Sequence, residues 1–369
     1  MGRISTFGQH LYEGRVSFDF VGRRRLWYAL SVAIVVLASI GFVARGFNMG
    51  IEFKGGVEFT AQVKTSDAAT VDRLTSAIDD AGVPAAGDPI ASTSGDDAVR
   101  LQTKPLTQDE AETIQKALTD AGATEVSQNL IGPSWGKQVA KKAITGLIVF
   151  LLIVVVFIWA YFREWRMSVA GIVALAHDLV ITAGVYAWSG FEVTPATVTG
   201  LLTILGYSLY DTVVVFDKVK ENTRSIPGTT TRTYAEEANL AVNQTLVRSI
   251  NTSVTALLPV VALLVVGAAV LGTGPLKDLA LALAVGMAAG TYSSIFIATP
   301  LAAQLKEHDP AIRKHTAKVL ARRARSEARA ETETAPAATT GRPVSTSGAA
   351  KRSQPSRTPR SQRGRGSSR

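Results

Sequence analysis

Cysteine is absent from this 369-residue chain, which excludes a disulfide framework, thiolate catalysis and cysteine-based metal sites. Charge is also scarce. Asp, Glu, Lys and Arg make up 19% of residues, against roughly 25% in an average soluble domain. The residue sets HExxH, GxSxG and the P-loop are missing, as is any Cys/His pair. An enzyme is therefore the least expected class, and no cofactor or metal is expected. Net positive charge is confined to one end. Lys306–Arg369 holds 16 Lys/Arg against five Asp/Glu, or +11 of a net +9, so everything before it sums to −2. A globally basic nucleic-acid-binding body is excluded, and no specific nucleic-acid partner is expected.

What is abundant is apolar surface, at 47% of residues. Six stretches are long enough to cross a bilayer, which takes about 20 helical residues. They run Leu26–Ala44, Ala143–Phe162, Met167–Trp188, Val193–Phe216, Val254–Leu271 and Leu279–Leu301. Arg23–Arg25 before the first resemble the start of a signal peptide. The stretch is of full spanning length, however, and Ala44-Arg45-Gly46 is a poor cleavage site, so a retained anchor is expected. The positive-inside rule puts residues 1–25, the 217–247 loop and the tail in the cytoplasm. Lys137, Lys141 and Lys142 fall on the opposite side, where the adjoining long domain weakens the rule.

Residues 46–138 read as a small extracytoplasmic α+β domain. Strands are expected over Gly50–Lys64 (broken by Gly55-Gly56), Ala98–Thr103 and Thr124–Ile131. Helices are expected over Ala69–Ala81 and from the capping box Thr107-x-x-Glu110 to Gly122. The domain has no His and no carboxylate cluster suited to a metal, which favours a binding or mechanical module. The expected fold is thus a polytopic α-helical membrane protein: a first span over 26–45, this domain, a bundle of five spans over 139–305, and a basic, mostly disordered tail over 306–369. The tail's composition suits solvation or attraction to anionic lipid.

Ionisable residues inside spans cost about 2.5–3.5 kcal/mol each at a helix centre and so must face protein or water. Asp178, beside His177, is midway along the third span. Asp211 ends a polar stripe of Gly200, Thr203 and Tyr207 on one face of the fourth. Arg248 opens the fifth span, where it could also snorkel to the interface. Asp278 opens the sixth, ahead of Ala282, Gly286 and Gly290, a small-residue face for helix packing. Carboxylates at three depths, with an arginine, are what a proton or cation relay needs.

Several segments resemble the SecF branch of the SecD/SecF family of protein-export membrane proteins, itself within the resistance-nodulation-division superfamily. They are Gly50-Ile51-Glu52-Phe53-Lys54-Gly55-Gly56, Gly132-Pro133-Ser134-Trp135-Gly136, and the run from Gly206-Tyr207-Ser208 through Asp211 and Asp217 to Glu221-Asn222. Asn243–Ser253 and Gly290-Thr291-Tyr292-Ser293-Ser294 follow, and the resemblance covers roughly residues 15–305. It implies a subunit that acts with SecD beside the SecYEG channel. There it would use the proton motive force to draw unfolded polypeptide outward after the motor SecA has pushed it. It also implies proton coupling at Asp211 and Arg248, and less directly at Asp278. Two residues depart from the family pattern: Glu52 stands where many members have Asp, and Tyr210 where many have Asn. The competing expectations are a small-molecule efflux half-transporter of the same superfamily and a passive scaffold of a translocation complex. The roughly ninety-residue outer domain is small for an efflux pocket.

Overall fold

A computed structural model describes residues 10, 13, 16–224, 226–228, 231–269 and 275–334. The chain divides into two compact units, Met1–Arg322 and Arg323–Arg369, the second beginning inside the last helix.

Among the described residues six helices are long and apolar enough to span a membrane, and the chain is a multi-pass membrane protein. They are α1 (Arg24–Arg45), α5 (Pro133–Phe162), α6 (Trp165–Ser189), α7 (Pro195–Thr223), α8 (Tyr234–Ala269) and the composite of α9 (Pro275–Ser293) and α10 (Thr299–Glu307). Between α1 and α5 lie β1 (Asn48–Met49), α2 (Ile51–Lys54), β2 (Gly56–Gln62), α3 (Ala68–Asp80), β3 (Ile90–Thr93), β4 (Ala98–Thr103), α4 (Gln108–Asp120) and β5 (Glu125–Ile131). A short β6 (Glu192–Val193) precedes α7. The side of the bundle that carries this α+β domain is called outer below.

The sheet runs β3-β4-β2-β5 and is antiparallel throughout. Period-two alternation sends Val57, Phe59, Ala61, Val99 and Leu101 to one face. There they are buried with Leu74 and Ile78 of α3 and Ile114 and Leu118 of α4. The Thr107–Glu110 capping box closes the first turn of α4. The opposite face of β2 and β4 carries Glu58, Arg100 and Gln102, which meet the outer end of the bundle.

The strand expected over Gly50–Lys64 is instead a helical turn, α2, followed by β2. Gly55 has φ +79°, and a Cβ there would lie 2.8 Å from Pro133 Cα; one at Gly56 would lie 2.6 Å from Thr103 O. The glycine pair therefore lets α2 pack between the ends of β2 and β4 and the start of α5. β1 pairs in parallel with β6, with Asn48 opposite Glu192 and Met49 opposite Val193. That pairing ties the segment after α1 to the turn between α6 and α7.

The 217–247 connection is shorter than expected, because α7 continues to Thr223 and α8 starts at Tyr234. The first part of the tail is also ordered, as α11 (Pro310–Thr334); residues 335–369 lie outside the described residues. The sixth span is interrupted: α9 (Pro275–Ser293) passes through a π-helical turn (Ser294–Ala298) into α10 (Thr299–Glu307). Pro300 supplies the reason, since it has no N–H to give to the preceding turn. The Thr299 hydroxyl donates to Ser294 O at 3.1 Å across the widened turn.

Candidate functional site

The close approach of α7 and α9 sets the geometry of the bundle core. Gly200 faces Ala282, Gly286 faces Ile204, and Gly290 faces Ser208. Each contact advances by four residues on both helices, so the small faces mesh along three turns. A Cβ on Gly290 would lie 2.8 Å from Ser208 Cβ. The missing side chain thus lets Ser208 come level with Ser293 on α9.

Between these helices and α6 sits Asp178, 1% exposed. Its Oδ2 accepts hydrogen bonds from Ser208 Oγ at 2.6 Å and Ser293 Oγ at 2.8 Å. Its Oδ1 lies 3.2 Å from His177 Nδ1. One residue further along the sixth span, Ser294 Oγ donates to Oδ2 of Asp211, whose Oδ1 accepts from Ser249 Oγ of α8 at 2.6 Å. Asp211 is 7% exposed. The adjacent hydroxyls of Ser293 and Ser294, at the start of the π turn, therefore each hold a different buried carboxylate. Beside them, the Tyr207 hydroxyl donates to Ser253 Oγ at 3.1 Å, and Ser253 Oγ lies 2.6 Å from Thr291 Oγ1. Two carboxylates, a histidine and a string of hydroxyls fill the centre of an otherwise apolar bundle. Hydroxyls can reorient to donate or accept, so such a cluster can pass or retain a proton without moving the backbone.

The other two expected relay residues are elsewhere. Arg248 makes no ion pair with Asp211 among the described residues. It is exposed, and its Nη2 donates to the Tyr210 hydroxyl at 3.1 Å. The neighbour Ser249 points inward in its place, because consecutive helical positions diverge by about 100°. Asp278 lies at the outer end of α9, fifteen residues or about 22 Å of helix from Ser293. Its backbone oxygen accepts from the Tyr186 hydroxyl, and no hydrogen-bonded chain among the described residues joins it to Asp178 or Asp211. The expected stripe also divides. Tyr207 and Asp211 belong to the cluster, Gly200 packs on Ala282, and Thr203 turns its hydroxyl to Thr199 O.

Asp278 lines a second polar site, a cleft of about 310 Å³ shared with Arg100, Glu192 and Lys277. Arg100, 8% exposed, pairs with Glu58 and with Glu192, the latter at 3.3 Å. Gln102 Nε2 donates to Glu58 at 3.2 Å and to Glu192 at 3.0 Å. Burial would lower the Arg100 pKa, but the hydrogen bond and charge of Glu58, with Glu192 and Glu52, outweigh it and leave it raised. Burial pushes the Glu52 carboxyl up, and the charges of Glu58 and Glu192 add to that rise. Glu52 Oε2 is a buried oxygen without a hydrogen-bond partner among the described residues.

The remaining motif residues have structural placements. Gly50 N–H donates to Val193 O at 3.0 Å. Gly132 and Pro133 start α5. Gly206 is exposed, and a Cβ there would meet nothing within 4 Å. Asp217 and Glu221 are exposed at the inner end of α7, and Asn222 Nδ2 donates to Gln244 Oε1 of α8 at 3.0 Å. Sequence reasoning did not assign carboxylate contacts to Ser208, Ser249, Ser293 or Ser294, although all four lie in the quoted motifs. The available signal was the spacing of Ser208 three residues before Asp211, together with Pro300 just after the serine pair.

The family models for "Protein export membrane protein SecD/SecF, C-terminal" and the "SecD/SecF GG Motif" match residues 111–308 and 40–67, respectively. The chain is 50% identical to a protein translocase subunit SecF of Streptomyces coelicolor, over 88% of this chain and 86% of that one. It is 44% identical to a protein translocase subunit SecF of Mycobacterium leprae, over 88% and 72%. Its fold is similar to the crystal structure of SecDF, a translocon-associated membrane protein from Thermus thermophilus. There the TM-score is 0.69 and the identity 32%, covering 79% of this chain but only 39% of that longer one.

Proposed function

Because the chain belongs to the SecD/SecF family of protein export membrane proteins, we propose that it acts as an auxiliary, non-enzymatic subunit of the Sec translocase. In this reading it works with a SecD subunit beside SecYEG, downstream of SecA, in the bacterial cytoplasmic membrane. Both termini face the cytoplasm, and the α+β domain faces the compartment into which unfolded polypeptide emerges. It uses the proton motive force to promote the late steps of export. The fused SecDF relative supports a paired SecD, and the long basic terminal segment suits anionic lipid on the cytoplasmic face.

The observation that carries the reading is the buried pair Asp178–Asp211, joined through Ser293 and Ser294 at a π-helical turn. Carboxylates in a bilayer are expensive and mark ion or proton pathways, and π turns concentrate at functional sites. Moving one charge through 100 mV provides about 2.3 kcal/mol. That biases a two-state equilibrium by tens of fold, provided the proton binds one state preferentially. Arg248 and Tyr210 then belong to the surface that meets the partner subunit, since a guanidinium on a lipid-facing helix would be costly. Because Arg248 and Ser249 are consecutive, a rotation of α8 exchanges a hydroxyl for a guanidinium beside Asp211. Asp278 sits where protons would enter from the outer side.

The test is gradient-dependent export. The chain and its SecD partner, reconstituted with SecYEG and SecA in vesicles, are expected to speed completion of translocation only when a proton gradient is imposed. Equal stimulation with and without the gradient would refute proton coupling.

A further inference from the structure

We propose that the apolar pocket between α5, α6 and α7 binds an acyl chain of an anionic phospholipid from the outer leaflet, with Lys137 and Lys141 of α5 holding its phosphate. The pocket has a volume of about 270 Å³ and is walled by Phe53, Ala140, Ala143, Leu147, Val198 and Leu201. Tyr186 and Thr197 also border it, but both hydroxyls are engaged elsewhere, with Asp278 O and Glu192 O. Water filling a space of this size would find almost no partners, so an apolar occupant is favoured. No acidic residue lines the pocket.

The occupant's identity follows from depth and charge. The apolar run of α5 begins at Ala143, so Ala140–Leu147 straddles the boundary between headgroups and hydrocarbon. Of the apolar core of α5 only 11% is buried inside the protein, which leaves the helix beside the pocket facing lipid. Lys137, Lys141 and Lys142 are exposed on that boundary, and none forms an ion pair among the described residues. These are the lysines that run against the positive-inside pattern. Helical spacing puts Lys137 one turn outward of the pocket wall and Lys141 on its flank, whereas Lys142 points about 150° away. Two unpaired cations above an apolar slot match a phosphate above an acyl chain, and long lysine side chains reach headgroups readily. The site does not depend on the proposed proton coupling.

Native mass spectrometry of the purified full chain tests it, with phosphatidylglycerol and phosphatidylcholine added at equal amounts. Phosphatidylglycerol is expected to be retained preferentially, and each lysine near the headgroup contributes about a fivefold preference. Lys137→Gln with Lys141→Gln should abolish the preference, and Lys142→Gln should leave it intact. Ala143→Trp, or Val198→Phe should that variant fail to fold, fills the slot and should reduce retention of both lipids. Equal retention of the two lipids by the wild type, or an equal effect of Lys142→Gln, would overturn the proposal. So would unchanged lipid retention in the filled variants accompanied by loss of a co-purifying subunit, which would assign the pocket to a protein contact.

Discussion

Arg100 on the outer sheet and Glu192 in the turn between α6 and α7 form an ion pair at 3.3 Å, with side chains 10% and 15% exposed. Together with the β1–β6 pairing, this contact fixes the α+β domain on the bundle. One guanidinium here serves two carboxylates, Glu58 and Glu192. Its loss would leave two partly buried carboxylates without their cation; breaking a fully buried pair costs about 3–5 kcal/mol, which is an upper bound here.

Arg100→Met should therefore loosen the domain from the bundle. Glu192→Gln should cost only about 1 kcal/mol, because its amide oxygen still accepts from Gln102. The sensitive probe is hydrogen exchange at the Gly50 amide, which donates to Val193 O. Faster exchange there in Arg100→Met, with little change in Glu192→Gln, is the expected result. Unchanged exchange in both would show that the β1–β6 pairing and the packing of α2 on α5 hold the domain without this ion pair.

Glu52 gives a pH dependence of opposite sign to an ordinary salt-bridged carboxylate. Its folded pKa is raised from 4.5, chiefly by burial, so the folded chain keeps a proton that the unfolded chain has already lost. The cost of burying Glu52 is thus greatest above its folded pKa and vanishes as pH falls toward 4.5. The unfolding midpoint should rise on acidification through that window. Glu52→Gln should be more stable than wild type near neutral pH and should show a smaller rise. A parallel pH profile in the two proteins would mean that Glu52 is charged in the folded state.

The span count, the outer α+β domain, the Thr107–Glu110 cap and strand β4 were legible in the sequence because each rests on local pattern: apolar run length, period, or a capping pair. What was not legible depended on distant partners. The Gly55-Gly56 break read as an interrupted strand, since nothing local reveals Pro133 and Thr103 as the groups that crowd it. Asp178 and Asp211 were recognisable as costly charges, but their serine partners come from three other helices. Arg248 looked like a partner for Asp211 by proximity along the membrane normal, yet depth does not fix azimuth, and Ser249 takes the inward position. The ordering role of Asn239 and Asn243, whose side chains accept from the Phe18, Phe20 and Val21 amides, could not be read from spacing either.

Helix packing offers a separable test. An alanine at Gly286 would drive its methyl into Ile204, and overpacking of this kind costs about 1–3 kcal/mol. Shortening the facing side chain with Ile204→Ala leaves a cavity when made alone but makes room when made together with Gly286→Ala. The double variant should be more stable than the sum of the two singles predicts, by about 0.5–3 kcal/mol. Thermal unfolding in detergent measures this, and strict additivity would mean that α7 and α9 do not mesh at this level.

The last prediction separates chemistry from packing at Asp211. Both of its oxygens accept from serine hydroxyls, Ser249 on α8 and Ser294 at the π turn. Asparagine is nearly the same shape, and its amide can donate to a hydroxyl that turns to accept. A merely structural Asp211 therefore tolerates Asp211→Asn with a loss of about 1 kcal/mol or less. A proton-binding Asp211 does not, since the amide cannot take up or release a proton near neutral pH. Asp211→Asn should assemble normally and leave ATP-driven translocation unchanged while removing the gain from an imposed proton gradient. Asp211→Glu should retain part of that gain. Ser294→Ala and Ser249→Ala, which leave the carboxylate in place but remove one donor each, should weaken the gradient effect without abolishing it. If the asparagine variant gains from the gradient as wild type does, Asp211 belongs to the packing of the bundle and the proton-binding group lies elsewhere.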